Sequence, residues 1–197
     1  GNDKDARIFL AAPLARSDID DNFADLITPH EEIAWNTRTE SVEPRRQRRL
    51  GTLLLDDAYW NAAPAERIAE ALLDGVRALG MDALPWTESA RQLRARVAFL
   101  AALKISDGWP DFSDPGFEAS LEEWLLPYLS GKRGRNDLAS LDLNAILSDR
   151  LTWEQKRQLN ADAPAEFRLP GGRIVHLAYG SGETPVLAAK VQELFGM

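Results

Sequence analysis

The sequence predicts an α+β fold, with a helical middle between two β-containing ends. Three patterns predict it. Short apolar runs and loose alternation fill the chain up to about Trp60. Apolar residues at three- and four-residue spacing then run from Pro64 to Ala161. Two short alternating segments around Pro170-Gly171-Gly172 follow. The expected division is a β-rich part over 7–60, a helical part over 61–162, and a β-hairpin followed by a helix over 163–197. The last part is expected to pack with the others.

In the first part, Arg7–Ala12 is an apolar run ended by Pro13, and Glu32–Trp35 is a second short strand. Thr39–Leu55 alternates as far as Leu53-Leu54-Leu55. Between the first two, Ser17-Asp18-Ile19-Asp20 has the form of a helix cap, and Ile19, Phe23 and Leu26 follow at helical spacing. In the middle, Pro64 suits a first turn and Ile68, Leu72, Val76 and Leu79 form a stripe that Gly80 can end. A second helix starts near Thr87 with Ala90, Leu93, Val97 and Leu100 inward. A third starts at Ser113 with Phe117, Leu121, Trp124 and Tyr128 inward. Leu141–Leu151 is a fourth, and Thr152-Trp153-Glu154-Gln155 caps a fifth. At the end, Phe167–Leu169 and Arg173–Tyr179 flank a glycine turn. Thr184 and Pro185 then open a last helix that carries Val186, Val191 and Leu194 inward, and Gly196 stops it.

Composition removes several classes of chemistry. The 197 residues contain no cysteine, which excludes disulfides, thiolate metal sites and cysteine nucleophiles. His30 and His176 are too far apart in sequence to suggest a multi-histidine metal site. The formal charge of −8 argues against a free-standing polyanion binder. No apolar run reaches the ~20 residues of a membrane span. The leading Gly in place of Met reads as the cut end of a longer protein.

Within that acidic whole the cations are lopsided, 18 arginines against 5 lysines. Arg45, Arg46, Arg48 and Arg49 fall within five residues. Strand alternation puts Arg46 and Arg48 on one face, Arg45 and Arg49 on the other. With an exposed Trp35 to stack a base, they could hold the phosphates of a single strand. A solvated strand balanced by Glu40, Glu43, Asp56 and Asp57 accounts for the same residues, and the acidic whole favours it. Lys132, Arg133 and Arg135 form a second basic patch in a glycine-punctuated loop. Arg91, Arg94 and Arg96 lie on a helix where Glu88 is available for pairing. Gly180–Thr184 precedes a helix without the P-loop pattern and reads as a turn and cap. Asp111 and Asp114 could be an acid–base pair, but Ser113 and Asp114 also fit a plain helix start.

The order of short phrases carries more than any one of them. Ile8-Phe9-Leu10-Ala11-Ala12-Pro13-Leu14 is followed by Arg49-Leu50-Gly51-Thr52-Leu53-Leu54-Leu55 and Leu84-Pro85-Trp86. Trp109-Pro110-Asp111-Phe112-Ser113-Asp114 and Trp124-Leu125-Leu126-Pro127-Tyr128-Leu129 come next. Pro185-Val186-Leu187-Ala188 and Gln192-Glu193-Leu194-Phe195-Gly196 close the series. From about Arg7 to Gly196 this succession resembles the C-terminal region of HrpB-type ATP-dependent helicases of the DEAH/RHA class. It departs from the pattern at Pro170-Gly171-Gly172, where Pro-Ser-Gly is expected, and at Trp35-Asn36, where Trp-Asp is expected.

The resemblance implies a fragment. Its β-rich start would be an OB-like remnant and its helical middle a family-specific extension. ATP and Mg would serve the parent's motor domains, with no catalytic residue, cofactor or metal in this piece. The expected role is a non-catalytic accessory region in the cytoplasm. Its partners would be the motor domains of the same chain, together with single-stranded RNA or DNA or a protein partner. The alternative is a protein-interaction or scaffold module without nucleic-acid contact. A hydrolase built on Asp111 and Asp114 is a third reading.

Overall fold

The computed structural model describes residues 15–103, 108–169, 172–179 and 185–187. The run Arg7–Ala12 and the turn Gly180–Thr184 lie outside them. The chain divides into two units, Gly1–Ile33 with Glu43–Ala63, and Ala34–Val42 with Pro64–Met197.

The first unit opens with α1 (Arg16–Asn22). Ser17 is not its cap, because the helix begins one residue earlier. The Asp18 carboxylate instead accepts from the Ala15 N–H at 3.0 Å, and an acid in the first turn suits the helix dipole. Strands β1 (Ile27–Asn36), β2 (Ser41–Leu50) and β3 (Leu53–Tyr59) form one sheet in that order. β1 is longer than expected because Pro29 is tolerated on an edge strand, where its missing N–H breaks no ladder. β2 and β3 are antiparallel, with Arg45 opposite Tyr59 and a register shift between Arg48 and Arg49. The apolar run Leu53–Leu55 lies on the other edge strand, with Leu53 53% and Leu54 46% exposed.

The second unit holds the helices. α2 (Ala65–Leu79) buries Ile68, Leu72 and Val76. It ends at Gly80, whose φ of 84° a side chain would resist. α3 (Glu88–Leu103) starts under the Thr87 hydroxyl, which accepts from the Ala90 N–H at 3.2 Å. It buries Ala90, Leu93, Val97 and Leu100 as expected.

The single helix expected from Ser113 through Tyr128 is broken. α4 (Asp114–Ala119) stops at Ser120, and α5 (Leu121–Leu125) tightens into a 3₁₀ turn over Leu126–Tyr128. Pro127 cannot donate to a continuing α-helix, and Tyr128 consequently stays 37% exposed. A one-turn α6 (Arg135–Leu138) has no counterpart in the sequence pattern. α7 (Leu143–Asp149) is shorter than Leu141–Leu151 because Asp142 caps it, its carboxylate accepting from the Ala145 N–H. α8 (Trp153–Asp162) follows the Thr152 box as expected, with Gln155 returning to the Thr152 N–H at 2.9 Å.

The hairpin β4 (Glu166–Arg168) and β5 (Ile174–Ala178) forms as expected. Val186 and Leu187, placed in a final helix by the sequence pattern, instead form strand β6 against Ala178 and Leu177. Pairing with β5 overrides the helical reading, as suits a β-branched valine. The remaining residues of that expected helix lie outside the described ones. Among the described residues no helix is long and apolar enough to cross a membrane.

Candidate nucleic-acid interface

In the first unit, β2 carries the arginine cluster, and its two faces divide as alternation requires. On one face Arg45 holds Asp57 in a two-bonded fork, at 2.9 and 2.7 Å, across a diagonal of the β2–β3 ladder. Arg49 donates to the Gln47 side chain on that same face at 2.9 Å. On the other, Arg46 reaches Glu31 and Arg48 reaches Asp20, each at 2.7 Å. The Arg46 guanidinium also lies 4.9 Å from the centre of the Trp60 ring. Of the acids named from sequence, Asp57 is joined by the charge of Glu43 in favouring the Arg45 cation, and Glu40 pairs with Arg135; Glu31 and Asp20, not named from sequence, are brought to the cluster by folding.

These pairs are accessible to solvent, so salt weakens them and a phosphate can compete for their donors. The hydrogen bond from Arg45 holds Asp57 below the ordinary carboxylate range. A carboxyl depressed in the folded state stabilises it fully above its unfolded value, and that contribution is lost as acid carries the pH through the folded value. Asp57→Asn should therefore flatten part of the acid limb of the stability profile, read from urea unfolding between neutral pH and pH 3.

In the second unit, the basic loop is braced against the start of β2. The Val42 N–H donates to the Arg133 carbonyl at 2.7 Å, and Ser41 bridges Gly134. Arg135 pairs with Glu40 at 2.7 Å, and the Lys132 ammonium donates to the Ser140 hydroxyl at 2.9 Å. Trp35 is not the open stacking ring expected of it. It is half-buried, its indole lies over Gly75 in α2, and its N–H is buried without a hydrogen-bond partner. A Cβ on Gly75 would overlap the ring. Gly75→Ala should therefore cost about 2 kcal/mol by overpacking, seen as a lower urea midpoint with an unchanged slope.

Ser113 caps α4 as expected, its hydroxyl accepting from the Gly116 N–H at 3.1 Å with Asp114 in the first turn, whereas the arginines of α3 pair otherwise than expected. Arg94 pairs with Asp114 at 2.8 Å instead of with Glu88, and donates to the Phe112 carbonyl. Asp111 accepts from the Ser113 N–H at 2.8 Å, and bonds from Ser113 hold it below the usual carboxylate range. The two carboxylates serve separate partners, and a general acid would need the opposite shift. Arg96, placed with Arg91 and Arg94 by sequence, is buried. Its position one residue before Val97 and three after Leu93 was the available signal.

Residues 124–197 match the family described as ATP-dependent helicase C-terminal. The chain is 29% identical over 192 residues to the ATP-dependent RNA helicase HrpB of Escherichia coli strain K12, covering 98% of this chain and 24% of that protein. The crystal structure of the E. coli DExH-box NTPase HrpB matches 95% of this chain and 23% of its own, with a TM-score of 0.67 and 28% identity. That of the E. coli DEAH/RHA helicase HrpB matches 87% and 22%, with a TM-score of 0.67 and 29% identity. The chain thus spans about a quarter of the length of these relatives. In sequence and in structure this chain is similar to the C-terminal quarter or so of E. coli HrpB, and over residues 124–197 it matches the family described as ATP-dependent helicase C-terminal.

Proposed function

We propose that this chain is a non-catalytic accessory region of an HrpB-like ATP-dependent helicase, which packs on the motor domains and adds contacts to single-stranded nucleic acid. The supporting observation is one of coverage. Similarity to E. coli HrpB takes in 98% of this chain but 24% of that protein, and the sequence contains neither a P-loop nor an Asp-Glu-x-His box. ATP and Mg would be handled upstream, in the motor.

The arginines of β2 are the contacts to test, since a strand must displace Asp57, Glu31 and Asp20 to reach them. Replacing Arg45, Arg46, Arg48 and Arg49 by Ala in the full-length protein should weaken single-strand binding. The slope of log affinity against log salt should fall by about 3. An unchanged affinity and slope would remove nucleic acid from the proposal. A scaffold role without nucleic acid draws support from the same pairing and from the exposed Leu53 and Leu54 on β3.

A further inference from the structure

We infer that the groove between α3, α7 and α8 is an anion site that takes a phosphate group. The groove encloses about 290 Å³, and Arg96, Asn144, Ser148, Lys156 and Asn160 are part of its wall. Among the described residues that line it, two are cationic and none is acidic. This lies in a chain with a formal charge of −8. The β2 cluster is the opposite case, with carboxylates holding three of its four guanidinium groups.

Arg96 is the residue that requires explanation. It is only 8% exposed. Its Nε donates to the Ala163 carbonyl at 2.6 Å, and its Nη2 donates to the Leu159 carbonyl at 3.2 Å and to Asn160 Oδ1 at 2.8 Å. All three acceptors are neutral. The carbonyls at the end of α8 offset part of the buried charge through the helix dipole, but a buried cation is ordinarily matched by an anion. Burial accordingly pulls the Arg96 pKa down, the direction expected of a cation without a carboxylate beside it.

The other groups suit a tetrahedral oxyanion. Lys156 brings a mobile point charge with three donors, and Ser148 and Asn144 bring neutral donors on the facing helix. A guanidinium and an ammonium together are the side chains that recognise phosphate, and hydroxyl and amide donors favour several oxygens over a halide. The space has room for a phosphate group and for the chain it is attached to. The group is therefore either free phosphate or the backbone of a strand lying across the opening.

The test titrates the 197-residue chain with inorganic phosphate, against chloride at matched ionic strength. It follows thermal unfolding and backbone amide signals. The expected result is a saturable rise in Tm, with shifts confined to α3, α7 and α8. Lys156→Ala should weaken binding about tenfold. Ser148→Asp, which places an anion in the wall, should abolish it while circular dichroism stays unchanged. Arg96 is left intact because it also holds α8. A short single-stranded oligonucleotide is then added to the phosphate-loaded protein. Displacement assigns the site to a strand backbone, and retention assigns it to free phosphate. A non-saturating response, or one indifferent to both substitutions, overturns the site. The outcome is independent of the β2 arginines, whose failure to bind a strand would leave the phosphate titration unaffected.

Discussion

Replacing Arg96 with alanine is expected to destabilise the helical unit by about 3 kcal/mol, an effect large for a single polar residue. The guanidinium joins the middle of α3 to the last turn of α8 through Ala163, Leu159 and Asn160. One turn earlier, the Gln92 amide donates to the carbonyls of Ala165 and Leu177 and so fastens the β4–β5 hairpin to the same helix. Alanine would leave the buried Ala163 carbonyl and the Asn160 amide oxygen without this donor, while the Leu159 carbonyl would keep only the Ala163 N–H. Arg96→Lys should recover less than half of the loss, since one ammonium cannot reproduce a fork that spans three acceptors. Urea unfolding would show this as a lower midpoint at constant slope, and α8 amides should exchange faster. A loss below about 1 kcal/mol for Arg96→Ala would show that the bonds are incidental to folding.

Phe117→Ala should cost about 4 kcal/mol. The ring is fully buried at the centre of an aromatic cluster. It stacks on Phe112 at 5.1 Å and tilts against Trp124 at 5.3 Å and Trp86 at 5.7 Å. The Arg94 guanidinium lies 5.2 Å from its centre. Truncation therefore removes contacts on several sides, and three large rings cannot all collapse into one hole. Phe117→Leu should cost roughly 1.5 kcal/mol, because most of the volume is kept. Both values can be read from chemical unfolding, with a red shift of tryptophan emission as Trp86 and Trp124 become wetter. Equal costs for the two substitutions would show that the site relaxes freely.

Helices whose ends and stripes are written locally were legible in the sequence. Thr87, Gly80 and the Thr152 box do their work within four residues of the ends they set. The segment after Ser113 misled because Phe117, Leu121, Trp124 and Tyr128 keep helical spacing while Pro127 withdraws a donor from it. Strand β6 was hidden for another reason. Val186 and Leu187 follow a proline that suits a helix start, and only β5, arriving from elsewhere in the chain, offers them a ladder.

The site was legible as a list of cations and illegible as a network. Alternation divided Arg45 and Arg49 from Arg46 and Arg48 correctly. Of the acids that hold them, Asp57 was in view, whereas Glu31 and Asp20 lie 15 and 28 residues away from their arginines. Trp35 is the same lesson from the apolar side. Its neighbour is a glycine inside a helix that begins thirty residues further on, and nothing in the local pattern of β1 announces a burial partner.

Residues 34–42 give the helical unit an ancestry problem as well as a structural one. They are threaded into it from a hairpin whose strands otherwise belong to the first unit. A recombination event, a protease nick or an expressed fragment that begins at Pro64 would keep all of α2 to α8. It would still strip the Trp35 ring from Gly75, the Glu40 carboxylate from Arg135 and the Val42 N–H from the Arg133 carbonyl. The helices are thus not a separable module in linear sequence. Transfer to another protein or independent expression has to carry the β1–β2 tip along with them.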